Sequence, residues 1–104
     1  MLFIIKEQFE KQLKNLSKKY KLLFDDFENF KLNFNIQDGK HLGKGIYKFR
    51  MKKSSIPVGK SGGFRIILFL KIEESKAMPF IIYSKTDIES ITLNDIIYEL
   101  EKYI

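Results

Sequence analysis

Residues 2–5, Leu2-Phe3-Ile4-Ile5, form a short apolar run with β-branched members that stops at Lys6, the pattern of a buried strand. From Glu7 the period becomes helical. Phe9, Leu13, Leu16 and Tyr20 recur every three or four residues among Lys and Glu, which predicts an amphipathic helix. Leu23, Phe27, Phe30 and Phe34 repeat that spacing out of phase with the first series, so residues 17–21 predict a tight turn between two helices. Residues 35–44 read as a loop. Strict alternation then begins at Ile46: Tyr47, Phe49 and Met51 fall on one strand face, and Lys48, Arg50 and Lys52 on the other. Residues 53–63, with Pro57 and three glycines, read as a connection. Residues 64–72 are apolar on both faces, with Arg65 sharing one of them with Ile67 and Phe69, which predicts a central strand. A turn at 73–76 and a strand at 80–84 follow. Thr92 is placed to cap a last helix, with Asp95 in its first turn and Leu93, Ile96, Ile97, Leu100 and Ile104 as its apolar stripe. The whole predicts one small α+β domain over residues 1–104, in which a helical hairpin covers a sheet.

Charge changes this picture most between residues 39 and 72. That stretch holds nine of the 19 basic residues, all 6 glycines and none of the 13 acidic residues. The remainder of the chain is net acidic, so the overall +6 is a local feature. A cationic block laid on strands reads as a surface for a polyanion. Lys48, Arg50, Lys52, Arg65 and Lys85 fall on, or at the ends of, neighbouring strands. Such a group can hold a phosphate and stabilise charge developing on it. Crowded lysines also disfavour one another's protonation, which suits one of them to act as a general base. The plainer reading of the same pattern is a solvated basic face.

Other chemistries are poorly served. The chain has no cysteine, which removes disulfides, cysteine-ligated zinc and thiol catalysis. His41 is the single histidine; it reads as a solvated loop residue, and no metal site is expected. Gly59-Lys60-Ser61 suggests a phosphate-binding loop, yet Ser54 stands where the required first glycine belongs, and a strand former follows instead of a helix. Ser61 has no histidine–acid pair. Asp25, Asp26 and Glu28 read as the exposed side of a helix and not as a catalytic carboxylate pair. No apolar run approaches the length of a membrane span, and a cytoplasmic protein is expected.

Three segments in order carry a resemblance: Gly45-Ile46-Tyr47-Lys48-Phe49-Arg50, Gly59-Lys60-Ser61-Gly62-Gly63-Phe64-Arg65-Ile66-Ile67 and Tyr83-Ser84-Lys85. Together they resemble the RelE/HigB-type toxins of bacterial type II toxin–antitoxin modules, over nearly the whole chain. The resemblance implies a curved, mainly antiparallel four-stranded sheet with an N-terminal helical hairpin on one face and a C-terminal helix. It implies a metal- and cofactor-free endoribonuclease that cuts messenger RNA in the ribosomal decoding site and stops translation. The partners implied are the ribosome with its 16S RNA, the messenger RNA and a cognate antitoxin protein. Carried over by position, Lys48, Arg50, Arg65 and Lys85 are the implied catalytic residues, with Lys44, Lys52, Lys53, Lys60 and Tyr83 as RNA contacts. The family's usual arginine after the last basic position is Thr86 here, and a frequent tyrosine is Ile91, which leaves the leaving-group role to Tyr83 or Lys85. Two alternatives stand beside this: a ParE-like toxin that inhibits gyrase, and a non-catalytic RNA- or protein-binding module.

Overall fold

A computed structural model describes residues 1–54, 63–88 and 91–103. The elements are β1 (Leu2–Phe3), α1 (Glu7–Ser17), α2 (Leu23–Leu32), β2 (Lys40–Gly43), β3 (Ile46–Met51), β4 (Phe64–Lys71), β5 (Lys76–Ser84) and α3 (Leu93–Glu101), with short 3-10 turns at Ile36–Asp38 and Ile72–Glu74. The strands form one open sheet in the order β1-β5-β4-β3-β2. β1 runs parallel to β5 and every other pairing is antiparallel. The sheet is therefore mixed and has five strands, not the four expected.

The extra strand is β2, which the sequence reading left in a loop. Gly43, Lys44 and Gly45 all take positive φ, at 106°, 53° and 80°, and this turn folds Lys40–Gly43 back along β3. Two glycines supply the left-handed backbone at little cost. The first strand is weaker than expected: two residues pair with β5, and Leu2 is exposed. β5 is longer than expected because the turn before it is tight, with Ser75 at φ 53°.

β4 is the middle strand, as its two apolar faces require. Phe64, Ile66, Ile67 and Leu68 are fully buried. α1 packs on β5 through Phe9 and Leu13, and α2 on β3 through Leu23 and Phe27. Tyr20 lies in the turn between the helices and not on α1, yet it is buried, edge-on to Phe64 at 5.2 Å. Phe34 lies beyond α2, but its ring still packs against Phe49 at 5.0 Å. Beside β4, the register skips one residue of β5, so Phe80 has no partner across the ladder. The Gln12 side chain resolves this from α1: its Nε2 donates to the Phe80 carbonyl at 2.8 Å, and its Oε1 accepts from the Ile82 N–H at 3.1 Å. A buried bulge would otherwise leave backbone groups unsatisfied. Pro79, with no N–H to give, sits beside this bulge, where a proline is tolerated.

α3 begins as expected, with the Thr92 hydroxyl accepting from the Asp95 N–H at 3.1 Å. Its buried contact is Ile96; Leu93 is exposed, and Ile104 is outside the described residues. Asp26 corrects the reading of the α2 acids. It is 3% exposed and accepts from both the N–H and the hydroxyl of Ser54, at 2.8 and 2.6 Å. Among the described residues, no helix is long and apolar enough to cross a membrane.

Candidate polyanion-binding cleft

Register places the basic residues. Lys48 of β3 lies opposite Ile67 of β4 on one side and Lys40 of β2 on the other. Two residues along, Arg50 lies opposite Arg65, and Arg65 opposite Tyr83 of β5. Residues directly opposite one another share a sheet face, and like charges so placed repel. Lys40, Lys48, Arg50, Arg65 and Lys85 all line one cleft of about 780 Å³. Four of the five implied or added cations thus come from adjacent strands, and the fifth, Lys85, comes from the turn after β5. Asp38 is the one acidic residue of the lining among the described residues.

Lys48 records the crowding. Burial, and then the positive charges of Lys85, Arg65 and Lys40, hold its ammonium below the usual lysine range. Both effects disfavour the charged form. Arg65 is only 8% exposed, and its Nη1 donates to the Phe64 carbonyl at 3.3 Å. It therefore lines the cleft from a largely buried position, held by packing and by that bond. Tyr83 is 3% exposed, and its hydroxyl has no hydrogen-bond partner among the described residues. Burial pushes that hydroxyl above the usual tyrosine range, with the Arg65 charge pulling it the other way.

A polar cluster on the helix side fixes the turn that carries Lys85. The Ser84 hydroxyl, fully buried, meets the Tyr20 hydroxyl at 3.1 Å, the Thr86 hydroxyl at 2.8 Å and the Lys53 ammonium. The Tyr20 hydroxyl also donates to Asp87 at 3.0 Å, and Lys19 pairs with Asp87 at 2.7 Å. From the other direction, the Lys85 N–H donates to the Gly63 carbonyl at 3.0 Å. Gly63 is at φ +54°, and a Cβ there would come within 2.7 Å of the Met51 carbonyl oxygen. Only glycine fits at this crossing of three strand ends.

The other expected contacts scatter. Lys53 lies over the rings of Tyr20 and Phe64, at 4.5 and 5.0 Å, behind the sheet. Lys44 sits in the β2–β3 turn and lines a separate hollow with His41. His41 is on a strand, not in a loop, and stacks on Tyr47 at 4.5 Å. Lys52 lies just past β3 and lines a groove against α2. Lys60 and most of the Gly59–Gly63 string are outside the described residues. Lys40 is the cleft residue missed. Its signal was the Gly43-Lys44-Gly45 turn just before an alternating strand, a hairpin pattern. Among the described residues, no group of three or more His, Asp or Glu side chains is gathered to hold a metal ion. No family model matches the chain, and no curated protein matches it.

Proposed function

We propose that the protein is a RelE/HigB-type toxin, a metal-independent endoribonuclease acting on messenger RNA in the ribosomal decoding site, in the cytoplasm, and held in check by an antitoxin protein. One observation carries the reading: Lys48, on a strand face shared with Arg65 and close to Lys85, is held below the usual lysine range by burial and by those neighbours. A cleft with these properties makes the Lys48 ammonium easier to deprotonate beside fixed positive charge, which is the direction in-line cleavage of RNA needs.

In the proposed step, neutral Lys48 takes the proton of a ribose 2′-hydroxyl. The 2′ oxygen attacks the adjacent phosphorus. The bond from phosphorus to the 5′ oxygen breaks, and Lys85 gives that oxygen a proton. The products are a 2′,3′-cyclic phosphate and a 5′-hydroxyl. Arg65, with Arg50 beside it, receives the charge on the non-bridging oxygens. Lys52 is not part of this step, since it lines a different groove. The ribosome supplies alignment of the 2′ oxygen, which a set of amines cannot impose on a flexible strand.

The test is expression in translating cell extract without a partner, with mapping of new 5′ ends on the message. Cleavage that needs ribosomes, and that falls at least about 100-fold in Lys48→Met or Lys85→Ala, supports the reading. Arg65→Lys is the third variant, because truncating so buried a side chain would disturb the fold. An intact message together with loss of DNA supercoiling would replace this reading with the ParE-like one. RNA binding without any cut would leave a binding module.

A further inference from the structure

Arg50 belongs to two cavities. Besides the main cleft, it lines a groove of about 210 Å³ between α2 and the end of β3, with Asn29, Asn33, Phe30, Asp26 and Lys52 among the other walls. Register leaves open the β3 edge at which the two meet, at Arg50. β2 pairs with β3 only as far as Lys40 opposite Lys48. Among the described residues, no strand lies beside Phe49, Arg50 and Met51 on that edge, and Arg50 is exposed there.

The groove has the chemistry of a nucleotide subsite. Asn29 lies on α2 and Asn33, four residues on, caps its C-terminal end; both are exposed, and a bond between them keeps them on one side of the helix end. The Asn33 amide donates to the Asn29 carbonyl at 2.9 Å, which orients it and leaves its side-chain oxygen as an acceptor. Asn29 offers a donor and an acceptor. The Asp26 carboxylate is held by Ser54 through both of its oxygens, and Arg50 and Lys52 outnumber this one acid in the lining, so the groove is cationic on balance. Phe30 is fixed edge-on to Phe49 at 5.7 Å and gives an apolar wall. Side-chain amides read base edges, and a splayed single-stranded base is what such a pocket can take.

We infer that this groove holds one nucleotide next to the scissile linkage, with its base against Asn29 and Asn33 and its phosphate between Arg50 and Lys52. The inference rests on the cleft taking RNA. It gives the chain a means of preferring one base beside the cut through amides that take no part in the cut, with Arg50 shared between the two cavities.

Nuclear magnetic resonance titration of the full chain tests it, since even weak binding moves resonances. Inorganic phosphate, which has no base, is expected to shift the backbone amides of Lys48, Arg65 and Lys85 and to leave the side-chain amides of Asn29 and Asn33 unmoved. A 2′-O-methyl RNA trinucleotide, which cannot be cleaved, is expected to shift the side-chain amides of Asn29 and Asn33 as well. Asn29→Ala with Asn33→Ala should weaken the trinucleotide about 10-fold, the loss of one good base contact, and leave phosphate binding unchanged. Both asparagines are exposed, so the fold should survive; an unchanged melting temperature checks this. A trinucleotide that shifts the cleft but not Asn29 and Asn33 overturns the subsite and spares the RNA reading. If neither probe shifts the cleft, both fall.

Discussion

At Lys48, stability and the proposed chemistry pull in opposite directions. The native state disfavours its charge, through burial and through Lys85, Arg65 and Lys40, while the proposed chemistry uses that same loss of charge. The sign of the linkage follows. Between its depressed native value and the usual 10.5, the unfolded chain binds more protons than the native one, so this residue makes stability rise with pH across that window. Below the window the penalty is constant and complete. Lys48→Met is therefore expected to raise the melting temperature at pH 7, by less than about 4 °C, the shift that about 1 kcal/mol gives in a small domain. The gain should shrink to nothing above pH 10.5. Thermal melts of both proteins at the two pH values check this, and equal melting temperatures at pH 7 would show that Lys48 is not under strain.

At the scale of elements, the end of the sheet where β3, β4 and β5 meet is held from the helical hairpin. Tyr20, in the interhelix turn, bonds Ser84 and Asp87 on either side of Lys85. Tyr20→Phe keeps the ring against Phe64 and removes both bonds. Ser84 retains Thr86 and Lys53 as partners, so the expected loss in urea unfolding is about 1–2 kcal/mol, not the full cost of an orphaned group. The same variant should slow cleavage more than it weakens phosphate binding, because in the proposed step Lys85 acts at the departing oxygen while Arg65 holds the phosphate. An equal loss in both would place the hydroxyl's role in the fold alone. Thr86 has a matching position. It stands where the resembled family has an arginine, and here its hydroxyl bonds Ser84 at 2.8 Å.

For the molecule as a whole, cations collected from several strands outweigh the acids of α2 and α3, and the chain is net +6, so the cleft lies in a positive field. Binding through such a field releases counterions. Two or three phosphates neutralised by the cleft should give a slope of log affinity against log salt of about −1.4 to −2.1 for single-stranded RNA. Arg65→Lys should leave that slope unchanged and lose affinity, since the charge stays and the bidentate geometry goes. A slope near zero, measured by fluorescence anisotropy with a 2′-O-methyl oligonucleotide, would mean the cleft does not grip phosphate. Like charges set opposite one another, Arg50 with Arg65 and Lys40 with Lys48, are costly when the cleft is empty; an anion between them removes that cost.

Local rules settle much of this chain. Helical spacing places Phe9, Leu13, Leu23 and Phe27 in the core, alternation puts Lys48 and Arg50 on one face, and an apolar run on both faces makes residues 64–71 central. Those are properties of neighbours along the backbone, and they need no knowledge of what lies across from them. What stands opposite a strand is different, because pairing is decided by turns and by burial at a distance. Only the folded chain turned Lys40–Gly43 into a strand, sent Lys53 behind the sheet and Lys52 to another groove, and buried Asp26 against Ser54. The sequence showed that positive charge was concentrated; strand register, a long-range outcome, chose which of those charges face one another.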